Sequence, residues 1–99
     1  MAKPFLSEPL HADINWSEED NKRNSERYLV WFEDIESGFA RPHVRTDIQD
    51  NGEFTALLEV ENIIFNVRCR AGLSLTIIAA AVATSHDKAT YYKTLSQSS

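Results

Sequence analysis

The 99-residue chain contains little cysteine and little glycine, and each shortage argues against a class of site. Its single cysteine, Cys69, rules out a disulfide framework or a cysteine-based zinc site within one chain, and it favours a reducing, cytoplasmic location. The glycines Gly38, Gly52 and Gly72 are far apart, so no glycine-rich loop is available to hold a phosphate group. We therefore expect no cofactor.

Long apolar runs are also missing. The most apolar stretch, residues 75–83, is far shorter than the roughly 20 residues that cross a bilayer, and the N-terminus lacks the apolar core of a secretory signal. These absences predict a soluble protein with no membrane partner. The composition, 42% hydrophobic and 25% charged, is that of an ordinary globular domain. We divide the chain into an N-terminal arm (1–16), a single α+β domain (17–95) and a frayed tail (96–99).

Residues 54–69 carry the clearest pattern in the chain. Their apolar residues fall on even positions as far as Val60 and on odd positions from Ile63 onward. This change of parity predicts a β-hairpin whose two-residue loop is Glu61-Asn62. One face of the hairpin is then apolar, whereas the other face places Glu53 opposite Arg70.

The region before this hairpin has two interpretations. Residues 27–35 are rich in aromatic and β-branched side chains, which favours a strand followed by a turn with Gly38 in the left-handed conformation. A helix over residues 17–37 competes, with Ser17 as its N-cap, but residues 18–27 offer it no apolar side chain to bury.

The next turn, Asp50-Asn51-Gly52, predicts a three-residue loop with a left-handed Gly52, which places Ile48 opposite Phe54 and Val44 opposite Leu58. The combined registers place one apolar set on a common face: Tyr28, Val30, Phe32, Val44, Ile48, Phe54, Ala56, Leu58, Val60, Ile63, Phe65, Val67 and Cys69.

Downstream of Gly72, the alanine content of residues 75–83 predicts a helix capped by Ser74, and a second short helix is expected over residues 87–95. The predicted fold class is α+β: an antiparallel meander of three to four strands, with a C-terminal helix packed on one face and a short N-terminal helix as an option. Because the first of these helices is apolar nearly all round, the arm or a second subunit should cover it, which makes a homodimer an option.

No catalytic motif is present. His11, His43 and His86 have no metal-ligand spacing, no serine lies in a nucleophile motif, and Cys69 is predicted to point into the core. In the predicted register His43 lies on the outer sheet face opposite Glu59, and an enzyme with a site shared across a homodimer would have only these two residues to offer. We therefore predict a protein that is not an enzyme and has no metal site.

Two surfaces are candidates for binding. The first is an acidic patch: Glu18, Glu19, Asp20, Glu33, Asp34 and Glu36. The second is the outer face of the predicted sheet, where an indole and arginines would suit a protein interface or a platform for single-stranded nucleic acid. Its members are Leu29, Trp31, Arg41, His43, Arg45, Leu57, Ile64, Arg68 and Arg70. The competing interpretation is that residues 1–26 cover this second face.

Charge is unevenly distributed along the chain. Residues 1–61 hold 14 of the 15 acidic residues and six basic ones, and the formal net charge of the whole chain is −5. A net negative charge disfavours contact with nucleic-acid phosphates. The leading hypothesis is a small acidic protein-interaction module, a regulator or inhibitor of the kind that phages and mobile elements encode, and its partner is another protein of unknown identity. The alternative is a nucleic-acid-binding domain that uses the aromatic and arginine-bearing sheet face.

Overall fold

The computed structural model describes residues 3–10 and 13–97, and it has an α+β fold built on a six-stranded mixed sheet. The strands are β1 (Phe5–Ser7), β2 (Ile14–Asn15), β3 (His43–Arg45), β4 (Glu53–Val60), β5 (Ile63–Arg70) and β6 (Leu75–Val82). The helices are α1 (Glu18–Tyr28), α2 (Phe32–Ile35), a 3₁₀ helix (Glu36–Ala40) and α3 (Ser85–Gln97).

The strands lie in the order β1-β3-β4-β5-β6-β2, and every neighbouring pair is antiparallel except β2 with β6. The predicted α+β class is confirmed. The predicted sheet of three to four antiparallel strands is too small, because the N-terminal arm adds a strand at each edge and residues 75–82 add another.

The β4–β5 hairpin forms in the predicted register. Val60 pairs with Ile63 and the pairing continues to Glu53 opposite Arg70. Glu61 and Asn62 adopt φ values of 52° and 69°, the left-handed conformation that a two-residue primed turn requires. The hairpin is therefore confirmed, including a glutamate in a conformation that a β-carbon disfavours.

The predicted strand over residues 27–35 is wrong, because α1 and α2 occupy this region. Ser17 caps α1 by accepting a hydrogen bond from the Asp20 amide at 3.0 Å, and Leu29 ends the helix in the left-handed conformation. The aromatic and β-branched residues that suggested a strand still reach the sheet, but they do so from short helices and the segments between them. Val30, Phe32, Ile35 and Phe39 are all buried against it.

The predicted helix over residues 75–83 is also wrong, because this stretch forms β6 and pairs with β5. A register shift near Arg68 and Cys69 accommodates one extra residue in β6. The second predicted helix is confirmed as the middle of α3. Thr84 and Asp87 begin α3 with reciprocal hydrogen bonds from their backbone amides to each other's side chain, at 3.1 and 3.2 Å.

The register between β3 and β4 differs from the prediction by one residue. Val44 pairs with Leu57 rather than Leu58, which moves Val44 to the opposite face of the sheet. Ile48 was expected in the core, but it precedes the irregular turn at Gly52 and is half exposed. Gly52 is left-handed as predicted, with φ of 85°.

Gly38 is not left-handed, and a different constraint applies to it. The 3₁₀ helix crosses β4 so closely that a β-carbon at Gly38 would lie 2.6 Å from Cδ1 of Leu58. The glycine therefore permits close packing of the 3₁₀ helix on the sheet rather than a turn.

Both faces of the sheet carry a core. The larger core lies under α1, α2 and the 3₁₀ helix, and includes Phe32, Ile35, Phe39, Phe54, Leu58, Phe65, Val67, Cys69 and Ile77; Leu10, Ile14 and Trp16 of the arm pack against it. The smaller core lies under α3 and consists of Val44, Leu57, Ile64, Ala83 and Tyr91, with Leu95 at its margin. Two predicted members of the single apolar face are partly exposed instead, Tyr28 at 41% and Ile63 at 45%.

Candidate interaction surfaces

The predicted outer sheet face is not bare, because α3 packs on it. Leu57 and Ile64 are buried there against Tyr91. His43 is also buried, on the other side of the sheet, where its ring meets Phe39 edge to face at 5.4 Å. The expectation that residues 1–26 cover the outer face is wrong as well, since the arm packs against the larger core.

The remaining residues of that predicted face are distributed over different elements. Leu29 and Trp31 lie at the junction of α1 and α2, not on a strand, and are 88% and 48% exposed. Arg45 stacks on the ring of Phe54 at 4.1 Å. Arg41, Arg68 and Arg70 are exposed. The structure therefore does not place an indole and four arginines on one sheet face.

The acidic residues, in contrast, are brought together by Asn21, which is 1% exposed. Its Nδ2 donates a hydrogen bond to Oε1 of Glu33 at 2.6 Å, and its Oδ1 accepts one from the Phe32 amide at 2.8 Å. The side chain thus fixes the N-terminus of α2 against the first turn of α1. Because the first turns of α1, α2 and the 3₁₀ helix are all acidic, the residues of the predicted acidic patch lie at three neighbouring helix starts. We call them the acidic helical surface: Glu18, Glu19, Asp20, Glu33, Asp34 and Glu36.

Little positive charge offsets this surface. Arg23 contacts Glu19 at 3.2 Å and Asp20 at 3.1 Å, and all three are exposed enough for solvent to weaken these pairs. Within residues 3–10 and 13–97, Glu18, Asp34 and Glu36 form no ion pair. Residues 17–40 hold seven acidic and three basic residues, so the helical layer has a net charge of −4.

Exposed apolar side chains lie beside these carboxylates. Tyr28, Leu29 and Trp31 occupy the last residue of α1 and the short connection to α2. Leu29 has φ of 60°, a conformation that costs a leucine about 1–2 kcal/mol. The junction thus presents three large apolar side chains next to the first turn of α2.

A groove of about 490 Å³ lies on another side of α1, where this helix meets β6. Asn24 fixes α1 there: its Nδ2 donates to the carbonyl oxygens of Ala80 at 2.8 Å and Val30 at 2.9 Å, and its Oδ1 accepts from the Ala80 amide at 2.9 Å. The buried side chain takes the place that a neighbouring strand would occupy. Asp20, Arg23, Arg27 and Tyr28 also line the groove from α1, and Asn66, Arg68 and residues 78–81 line it from the sheet.

The buried titratable groups are poorly suited to chemistry. Burial raises the pKa of the Cys69 thiol to about 12, which leaves almost no reactive thiolate at neutral pH. Burial also lowers the pKa of His43, which therefore stays neutral near pH 7, with Nδ1 2.8 Å from the Arg41 carbonyl oxygen. Burial raises the pKa of Tyr91, and the nearby Glu59 raises it further.

The predicted pairing of His43 with Glu59 is wrong. His43 packs against Phe39 of the larger core, whereas Glu59 lies near Tyr91 of the smaller core, so the two side chains are on opposite faces of the sheet. In the described part of the chain, no group of three His, Cys, Asp or Glu side chains is arranged to hold a metal ion. His11 lies outside the described residues.

Sequence reasoning missed Asn21 and Asn24, which position both surfaces. The sequence does contain an indication of their role. Residues 17–27 have a capping residue and no apolar side chain, and two asparagines in this segment are three residues apart. Residues three apart share a helix face, so polar side chains could replace the expected apolar stripe.

Comparisons with known proteins give no further guide to these surfaces. No family model matches the chain, and no curated protein or solved structure matches it significantly. Over residues 3–10 and 13–97, none of the helices has the length and apolar character needed to span a membrane.

Proposed function

We propose that this protein is an interaction module that docks onto a basic partner protein through the acidic helical surface and the exposed side chains of Leu29 and Trp31. The observation that carries the proposal is the junction made by Asn21, which joins two acidic helix starts beside an exposed indole. Carboxylates steer association with a basic surface, and a tryptophan is among the side chains that contribute most to binding at the centre of an interface.

A protein partner fits this surface better than a nucleic acid. The helical layer carries a net charge of −4 and would repel a phosphate backbone. Trp31 is on this layer, while Arg68 and Arg70 are on β5, so the aromatic and arginine-bearing platform that the alternative requires is not assembled.

The chemistry of the surface also indicates what kind of module this is. An acidic surface with an aromatic anchor can cover a basic binding site on another protein and so block the ligand of that site. A regulator or inhibitor, of the type that phages and mobile elements encode, would act in this way.

The test compares four immobilised baits in lysate of the source cells, the fourth of which is Trp31→Ala. One is the unchanged chain. The second carries Glu18→Gln, Asp34→Asn and Glu36→Gln, which neutralise the surface but keep the Asn21–Glu33 hydrogen bond. The third is a matched control with the same change in net charge at exposed sites that are not part of the acidic helical surface: Glu8→Gln, Asp13→Asn and Asp47→Asn.

We expect a stoichiometric partner with a basic surface on the unchanged bait and on the control, and its loss from the second bait and from Trp31→Ala. Binding should weaken as salt is added. A chain that captures no such partner would contradict the proposal, as would a partner retained equally by all baits or lost equally from both charge variants.

A further inference from the structure

We propose that the groove between α1 and β6 is a second binding site, which shares only Asp20 with the acidic helical surface, and that it accepts a small phosphate ester the size of a mononucleotide. The volume of about 490 Å³ is within the range of small-molecule sites. The groove is also built on rigid elements, because Asn24 joins α1 to Ala80 of β6 through two hydrogen bonds.

The walls of the groove supply the charge that a phosphate needs. Arg27 lies on α1 and Arg68 lies on β5, so their guanidinium groups approach the groove from different elements. Two guanidinium groups can bind one phosphate by bidentate hydrogen bonds, which favours a dianion over a single carboxylate.

These two arginines are weakly engaged elsewhere. The guanidinium of Arg27 lies 5.2 Å from the centre of the Tyr28 ring, which orients it without neutralising it. Arg68 forms a long ion pair with Glu53, 3.9 Å from Nε, and its side chain is 63% exposed. Arg23 contributes less, because Asp20 and Glu19 already bind it.

The floor of the groove is suited to the organic part of the ligand. Ala79 and Ala81 lie opposite Arg68 and Asn66 and carry only methyl groups, so a flat ring can approach the strand closely, and Tyr28 offers an aromatic side chain at the margin. The methyl group of Ala80 lies on the other face, in the larger core. A long polyanion is disfavoured, because it would extend past the net charge of −4 on the helical layer. A small ester can contact Arg27 and Arg68 while it meets only one carboxylate of the groove lining, that of Asp20.

The probes for the test are adenosine 5′-monophosphate, adenosine and inorganic phosphate, each titrated into the full-length chain and followed by amide NMR shifts and calorimetry. We expect saturable binding of the monophosphate, with shifts concentrated at residues 79–81. Arg27→Gln and Arg68→Gln should each weaken binding about tenfold, which corresponds to about 1.4 kcal/mol, because each removes a charged hydrogen-bond donor to the phosphate. Arg27→Lys keeps the charge but loses the bidentate geometry, so it should weaken binding by a smaller factor.

Arg70→Gln is the matched control, because Arg70 is an exposed arginine on the same strand, contacts the same Glu53 and lies outside the groove lining. It should leave affinity unchanged, and thermal melts should show that all variants fold. The proposal is overturned by the absence of saturable binding, by equal binding of adenosine or of inorganic phosphate alone, or by an equal loss in Arg70→Gln. None of these variants alters the acidic helical surface, so a failure here is separate from a failure of the docking proposal.

Discussion

Leu29 combines two features that are unfavourable in a folded protein. Its φ of 60° is a glycine-like conformation, and its side chain is 88% exposed, so it gains little from burial. Leu29→Gly should therefore raise the free energy of unfolding by about 0.5–1 kcal/mol, after allowing for the greater freedom of glycine in the unfolded chain. Urea unfolding followed by circular dichroism measures the change.

Leu73 is the control for this prediction. It is fully exposed but has no positive φ, so Leu73→Gly should not stabilise the chain. If Leu29 is retained for docking, Leu29→Gly should also weaken capture of the partner while it stabilises the fold. A destabilised Leu29→Gly variant would show that the left-handed conformation is not a strain on this residue.

The acidic residues show how much of a site is predictable residue by residue. Runs such as Glu18 to Asp20 can be read directly as charged and solvated, and the structure leaves Glu18 and Glu19 exposed. These residues lie near Glu33 because the buried side-chain amide of Asn21 joins α1 to α2. No pattern in the neighbouring sequence indicates that Asn21 is buried. The charge of these residues could therefore be predicted from the sequence, whereas their proximity in the fold could not.

Secondary-structure elements could be predicted from the sequence where buried and exposed residues alternate along the chain. The β4–β5 hairpin has one buried and one wetter face, so its period fixes both the conformation and the register. In β6 the apolar residues are continuous, and such a run fits a buried strand as well as a helix. Its length of eight residues, between Gly72 and the polar Thr84, favours a strand, but the helix propensity of its alanines suggested otherwise.

The contact between α1 and β6 is the element-scale feature with the sharpest consequence. Asn24→Ala would leave the Ala80 amide, the Ala80 carbonyl and the Val30 carbonyl without their side-chain partner. We expect a loss of about 2–4 kcal/mol in the free energy of unfolding, because buried polar groups lose their hydrogen bonds. Chemical denaturation measures this loss, and hydrogen exchange should show faster exchange of the Ala80 amide.

Asn15→Ala provides the comparison at an exposed asparagine, which makes one side-chain hydrogen bond to Ser74 at 2.6 Å. Its effect should be within about 0.5 kcal/mol of the unchanged chain, as is usual for surface substitutions. If Asn24→Ala and Asn15→Ala had similar free energies of unfolding, Asn24 would not be the residue that fixes α1 to the sheet.

At the scale of the whole molecule, two short strands near the N-terminus, β1 and β2, close the two edges of the sheet. β1 pairs with β3 at one edge and β2 pairs with β6 at the other. Both strands are short, and Pro4 and Pro9, which lack an amide hydrogen, flank β1. Short, proline-flanked edges are a known protection against edge-to-edge association.

Deleting residues 1–8 removes β1 and exposes the backbone of β3, so it should both destabilise the fold and promote self-association. We expect a loss of about 1–3 kcal/mol in the free energy of unfolding and concentration-dependent oligomers in sedimentation velocity. A synthetic peptide of residues 3–10, added in trans, should compete for the same edge and reduce the oligomer fraction, whereas a scrambled peptide should not. A truncated chain that stays monomeric with unchanged stability would mean that β1 contributes nothing to the protection of the β3 edge.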